Sequence, residues 1–316
     1  MSYIFKRFTV VLLIWSALNP LAAQPDSIPD ISALIYLDSF VVTASKAGFD
    51  KNDFIDMVRT DESFLEAFHN LRFISYRSEN QFQFYNKRGK EKASYKDTIQ
   101  QTATGNCRSM VYSTVEYEGD YFKKAKTRKY NYYTSIMHDR LFYTHQETCE
   151  SIRTDLKRSN STRIEKYVYE LKKLIFRPGE KADIPFIGNK TSIFTEPMIQ
   201  YYDFKISNAL FNEEVDCYVF AAHVKPEFTN KNKVIINHLR TYFDKSNFQV
   251  VGRDLQLAYS AGLYEFDLTI HIALDIIENK YYPSHITCDG FWNISLKKKE
   301  AVKFNLSFFD FKTPTS

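Results

Sequence analysis

Most of the residues and motifs that announce an enzyme are missing from this chain. Only 9 of its 316 residues are glycine, and no GxGxxG, Walker A or GxSxG segment occurs, so phosphate-cradling loops have little material. No HExxH occurs, and no two of the seven histidines stand four apart to make a helical metal pair. The four cysteines include no CxxC, which removes local support for a redox motif or a zinc site. Tyr259-Ser260-Ala261-Gly262 lacks the first glycine of a nucleophile elbow and sits among strands. Glu213-Glu214 falls in an apparent hairpin turn, where carboxylates face water. The chain therefore reads as non-catalytic, with no metal and no cofactor.

What is present begins with an address. Lys6 and Arg7 precede an apolar run from Phe8 to Leu18, broken only by Thr9 and Ser16, and Leu21-Ala22-Ala23-Gln24 follows. This order predicts a cleaved secretory signal over 1–24, with an apolar core too short to span a bilayer. No cysteine lies near the cut to carry a lipid anchor. The expected place is the periplasm or the periplasmic face of the outer membrane, with secretion as the alternative. Removing Lys6 and Arg7 from the 42 basic residues leaves a net charge of +2 against 38 acids, which argues against nucleic acid as partner. Basic runs stand at 87–90, 123–129 and 297–299. Each reads as a solvated turn, with contact to anionic headgroups as the alternative.

The four cysteines allow three pairings, and an exported chain can keep disulfides. Cys107 with Cys149 is the expected pair, since both adjoin loop-like polar segments; Cys217 reads equally well as a buried thiol. Aromatic residues make up 16% of the chain, 27 Phe and 22 Tyr among them, and these favour pleated, half-buried surfaces.

Residues 25–49 read as a flexible N-terminus with a short strand at 37–44. Asp50 predicts a helix cap, and Thr60 or Asp61 a second one, with Phe64, Leu65, Phe68 and Leu71 on one face. His69 reads as a boundary residue. Phe73 to His145 is strand-like text, ending in a strand over 139–145 that a short helix through Ile136 could precede. Ile164, Val168, Leu171 and Ile175 predict a helix over 162–177, stopped by Pro178-Gly179, and a shorter helix is expected near 192–201. In Tyr264–Leu274 every even position is apolar and the odd ones are mostly polar, so one face of that strand is dry and His271 falls on the wet one. Val302, Phe304, Leu306 and Phe308 repeat the pattern, and a bulge is expected at Gly252. The fold class is α+β, mainly antiparallel β: a half-open barrel or curved meander sheet with covering helices. Residues 50–313 form the β-rich body, as one domain or as halves 50–160 and 180–313 joined by the helix.

This order of helix, strands, central helix and long meander resembles the periplasmic lipoprotein-carrier family of the LolA/LolB type. Asp139–His145 resembles that family's recurring strand, and Thr241–Val251 its aspartate-turned hairpin, with Asp244 opening the turn. Tyr281-Tyr282-Pro283 is similar to the lead-in of the next strand. The resemblance implies an incomplete barrel whose concave aromatic face, covered by helices, accepts acyl chains or another apolar ligand. In this sequence Phe64, Phe68, Phe266, Leu268, Ile270, Ile272, Trp292, Phe304 and Leu306 are the residues that would meet it. Two departures stand out: the chain is much longer than a typical carrier, and no single arginine can be assigned the carrier's helix-latching role. The partners implied are a lipid or lipidated protein and an outer-membrane component. Packing of these side chains on the helices alone is the simpler alternative, since each buried one contributes ~1.5–3 kcal/mol. A structural interaction protein, an integral outer-membrane β-barrel and an enzyme assembled only in space also compete. The internal helices and a C-terminus that does not end on an aromatic speak against the barrel.

Overall fold

The computed structural model describes residues 50–149, 170, 173–184, 187–229, 232–261, 264–294 and 299–314. The expected signal at 1–24, the arm at 25–49 and most of helix 162–177 lie outside them. Asp50 opens the described chain as a helix cap. Its carboxylate accepts the N–H groups of Asn52 and Asp53, and Asp53 returns a carboxylate to the Asp50 N–H. This reciprocal cap satisfies three orphan donors at the start of α1 (Lys51–Thr60), which buries Phe54, Ile55 and Val58. Asp61 does the same for α2 (Ser63–Asn70), accepting from the N–H groups of Ser63 and Phe64.

Three long strands follow, β1 (Ser75–Tyr85), β2 (Glu91–Thr104) and β3 (Cys107–Gly119), then a small hairpin of β4 (Phe122–Lys124) and β5 (Lys129–Tyr130). After α3 (Tyr133–Phe142) and the two-residue β6 (Thr148–Cys149), the chain returns at β7 (Tyr202–Phe211) and β8 (Val215–Val224). It ends as a meander of β9 (Ile236–Asp244), β10 (Val250–Ala261), β11 (Tyr264–Ile277), β12 (Lys280–Ile294) and β13 (Glu300–Lys312). Eleven of these strands make one curved, open antiparallel sheet in the order β6-β3-β2-β1-β13-β12-β11-β10-β9-β8-β7. That is the half-open sheet with covering helices expected from the alternating pattern. The first long strand and the last pair directly, Phe82 opposite Phe304, so residues from both ends of the body meet mid-sheet.

The register shift between Val250 and Gly252 is the bulge expected there. At Gly290 the reason for glycine is plain. Its φ is +139°, and a Cβ on it would stand 1.9 Å from the Asp267 carbonyl oxygen of β11. Asp244 does open the β9–β10 turn, accepting from the Ser246 N–H at 2.8 Å and hydroxyl at 2.7 Å, while Tyr281 donates to its other oxygen.

Two expectations are corrected. Residues 133–142 form a helix, so Asp139–His145 is not a strand. Glu300 of β13 explains why: its carboxylate accepts from the N–H groups of Tyr133 and Thr134 at 2.6 and 3.1 Å, an N-terminal cap supplied from 167 and 166 residues away. The stretch 192–201 forms turns with one 3-10 turn at Ile199–Tyr201 rather than a helix. Among the described residues no helix is long and apolar enough to cross a membrane.

Candidate functional site: an aromatic cleft and the arginine beneath it

The seven strand residues expected to meet a ligand do share one face. Cross-strand pairing sets Phe266 opposite Trp292, and Ile270 opposite Cys288, itself opposite Phe304. Ile272, Ile286 and Leu306 make the next row. Helix α2 packs over β12 on this side. Phe266, Ile270, Ile272, Trp292 and Leu306 are buried, but Leu268 and Phe304 are only half-buried, although the residues beside them on their strands and face are closed off. Gly290 accounts for the space beside Leu268. It lies between Leu268 and Val302 in the lateral row and offers no side chain there.

Phe64 and Phe68 arrive from α2 and enter an aromatic cluster that the sequence pattern did not show. Phe68 lies 4.9 Å from Phe176 and 6.5 Å from Phe142, and Phe142 lies 5.6 Å from Phe308 of β13. Phe64 is fully buried at 5.6 Å from Phe68 and 5.9 Å from Phe176. Phe68, Phe142 and Phe176 are all half-buried, and they come from three separate helical segments. Rings of this size left partly open to solvent can either close on one another or close on an apolar guest.

Arg253 was missed. In sequence it looks like one charge in a strand; in the structure it is fully buried on the concave face of β10. Its guanidinium donates to the carbonyl oxygens of Ile175 at 2.7 Å and Phe176 at 3.2 Å, the last described helical residues before the Pro178-Gly179 stop, and to the Thr241 hydroxyl at 3.3 Å. The Phe64 ring lies 4.4 Å below it and the Asp61 carboxylate 3.8 Å away. Burial pulls its pKa down to about 10, with Asp61 opposing, so it carries its charge at neutral pH. A cation at a helix C-terminus also meets the negative end of the helix dipole. One side chain thus ties the sheet, α2 and the end of the segment at 173–176. What sequence could not give is the pair of carbonyl partners, 77 and 78 residues away.

A buried polar knot holds α3 in place. Asp97 of β2, wholly shielded from solvent, accepts from Asn80 at 2.7 Å, from Tyr95 at 2.7 Å and from Tyr143. Burial raises its pKa, and the bonds from Tyr143, Asn80 and Tyr95 oppose the rise. His138 of α3 is buried against Phe82 and Tyr143, ring centroids 4.8 and 4.6 Å away, and burial lowers its pKa to about 3, so it is neutral. With Glu300 and the Trp292 indole, which donates to the Thr134 hydroxyl at 3.0 Å, this knot fixes the helix that presents Phe142. The cluster holds α3 but reaches no solvent, so it offers no catalytic face.

The remaining sites fall elsewhere. Cys107 and Cys149 are joined in a disulfide between β3 and β6, and Cys217 and Cys288 are buried thiols. His271 lies on the opposite face of the sheet, as its strand parity demands, but it is half-buried and paired with Asp254, which also accepts from Tyr242 at 2.9 Å. Among the described residues no group of three or more His, Cys, Asp or Glu is placed to hold a metal ion.

Known proteins give a likeness of fold. A LolA superfamily protein from Nitrosomonas europaea, to which the chain is similar, shares 14% identity over 81% of this chain and 94% of that one, with a TM-score of 0.25. A DUF1329 family protein from Desulfovibrio piger shares 10% over 85% and 92%, at 0.23. A candidate outer membrane lipoprotein-sorting domain from Vibrio parahaemolyticus shares 10% over 80% and 92%, at 0.26. No protein-family model matches the chain, and no curated protein does. With TM-scores this low, no residue role passes from those proteins to this one.

Proposed function

We propose that this chain is a non-catalytic binding module of the cell envelope that holds an apolar ligand, the acyl part of a lipid or lipoprotein, between the concave sheet and its helices. The observation that carries the reading is the partial exposure of Leu268 and Phe304 on a face otherwise buried, together with the half-buried rings of Phe68, Phe142 and Phe176 on the covering helical segments. An arrangement meant only to pack would close these five, since each leaves apolar area in water at about 25 cal/mol per Å². Arg253 supports the reading too. It ties the end of one covering helical segment through two carbonyl bonds, a fastening that can be undone without unravelling the sheet. The apolar run at 8–18 supports export to the envelope.

The test is native mass spectrometry of protein purified without detergent from its own host, followed by organic extraction. A stoichiometric lipid or acylated peptide is expected. The Leu268→Trp variant, which fills the space beside Gly290, should lose that ligand while keeping the fold. A clean apo mass together with no uptake of a fluorescent fatty acid would overturn the proposal.

A further inference from the structure

Strand pairing gathers two of the basic runs at one end of the sheet. Tyr85 opposite Ala301 sets the β1–β2 turn beside the start of β13, and Ala93 opposite Gly119 sets the β4–β5 hairpin beside the start of β2. The turn carries Lys87, Arg88 and Lys90, all exposed. The hairpin carries Lys123, Lys124, Lys126, Arg128 and Lys129, also exposed. None of these eight forms an ion pair among the described residues. The carboxylates nearby are mostly engaged: Asp120 pairs with Lys92, Glu300 is buried at the start of α3, and Glu265 pairs with Lys299. Exposed Glu91, Glu116, Glu118, Asp267 and Asp289 are what remains, five acids against eight bases. Aromatic rings stand among the lysines. Tyr117 is 42% exposed and packs 4.9 Å from Phe122, which stacks on Tyr130 at 5.5 Å.

The other end of the strands carries both signs in near balance. Its turns carry Glu213, Glu214 and Glu278, with Asp275 close by, against Arg108, Lys280 and Lys312. The positive excess is therefore gathered at one rim. Lysines interleaved with half-buried aromatics on hairpin tips suit a boundary where the ring meets headgroups and the ammonium meets phosphate.

We propose that this rim, the β1–β2 turn with the β4–β5 hairpin, docks the protein on an anionic phospholipid surface. The docking stands on the rim alone and holds whether or not the cleft takes an apolar ligand. Each base near such a surface gains roughly five-fold in partitioning, so removing three should cost on the order of 100-fold.

The experiment is co-sedimentation of the full chain with phosphatidylcholine vesicles containing about one-third phosphatidylglycerol, and with vesicles of phosphatidylcholine alone. Lys123→Gln, Lys124→Gln and Lys126→Gln are combined in one variant; Glu213→Gln with Glu214→Gln is the far-end control. All five side chains are exposed, and circular dichroism checks the fold. Binding is expected only with the anionic lipid, weaker at roughly 0.5 M salt than at 0.05 M, lost about 100-fold in the triple variant and kept in the control. The N-terminal residues are common to all the proteins, so the difference between variants reports the rim. Equal binding to neutral vesicles, or an unchanged triple variant, would overturn the proposal. So would capture by soluble polyphosphate with the vesicles left bare, which would mark the rim as a site for an acidic macromolecule. Uptake of vesicle lipid by the concave face would depend neither on headgroup charge nor on the three lysines, so failure here is distinguishable from failure of that reading.

Discussion

Replacing Arg253 by methionine should both destabilise the protein and open its cleft. Methionine keeps most of the stem's volume but removes the bonds to the Ile175 and Phe176 carbonyls, the bond to Thr241 and the charge facing Asp61. Each bond to a charged donor is worth ~1.5–3 kcal/mol, yet the carbonyls at a helix end can recruit water once the segment lifts. Asp61 is the greater loss: its side chain is 7% exposed and would be left without a cation. Breaking a buried pair this way costs ~3–5 kcal/mol, a fall in Tm on the order of 6–20 °C for a body of this size. Asp61→Asn added to Arg253→Met should return part of that loss, because the stranded charge goes with it. The second readout is specific to a latch. Amide exchange at 173–176 and binding of an environment-sensitive apolar dye should rise well below the melting temperature. A variant that loses stability while exchange and dye binding stay at parental levels would refute the latch and leave Arg253 as an ordinary core residue.

Acid should weaken the fold in a defined window. Burial lowers the pKa of His138 to about 3; burial, then His223 and Arg240, lower that of His238 to about 4. His223 and His285 are lowered as well, again by burial first. The unfolded chain takes up these protons near its ordinary histidine pKa of about 6.5, so the stability is whole above that pH and drains as pH falls below it. Urea midpoints should drop between pH 7.5 and 5, less steeply in His238→Gln; a midpoint flat across that range would contradict the assignment. The disulfide closes a 42-residue separation, so Cys107→Ser should cost up to about 4 kcal/mol in the chain-entropy account. Far-ultraviolet circular dichroism should stay unchanged, and a midpoint that does not move would show that β6 is tied down by other means.

How much of this could be read from the chain depends on how far each residue's partner lies. The dry faces of β11 and β13 were legible because alternation is a local consequence of one-sided burial. The caps at Asp50 and Asp61 were legible because their bonds span two or three residues. The helix at 133–142 was legible only in its first turn, as a short helix through Ile136. Ile136, Leu141 and Phe142 suit a strand as well, and what decides is Glu300 capping from β13 and His138 filling a hole beside Asp97. The concave face was found because its residues alternate, while its gap was not, since a glycine in a strand gives no sign of what its absent side chain leaves open. Arg253 shows the same limit: a charged residue within a strand reads as solvent-facing until the carbonyls that surround it are known.

The pairing of Phe82 with Phe304 has a consequence in time as well as space. The two residues are 222 positions apart, and closing so long a loop must wait for nearly the whole chain. Until β13 exists, β1 shows an unpaired edge with Phe82 and Phe84 beside it, and such edges invite pairing with the wrong strand. The β1–β13 seam therefore makes this a chain that folds late, and the crossing of any membrane and the work of any chaperone would come before its two arms are sewn together.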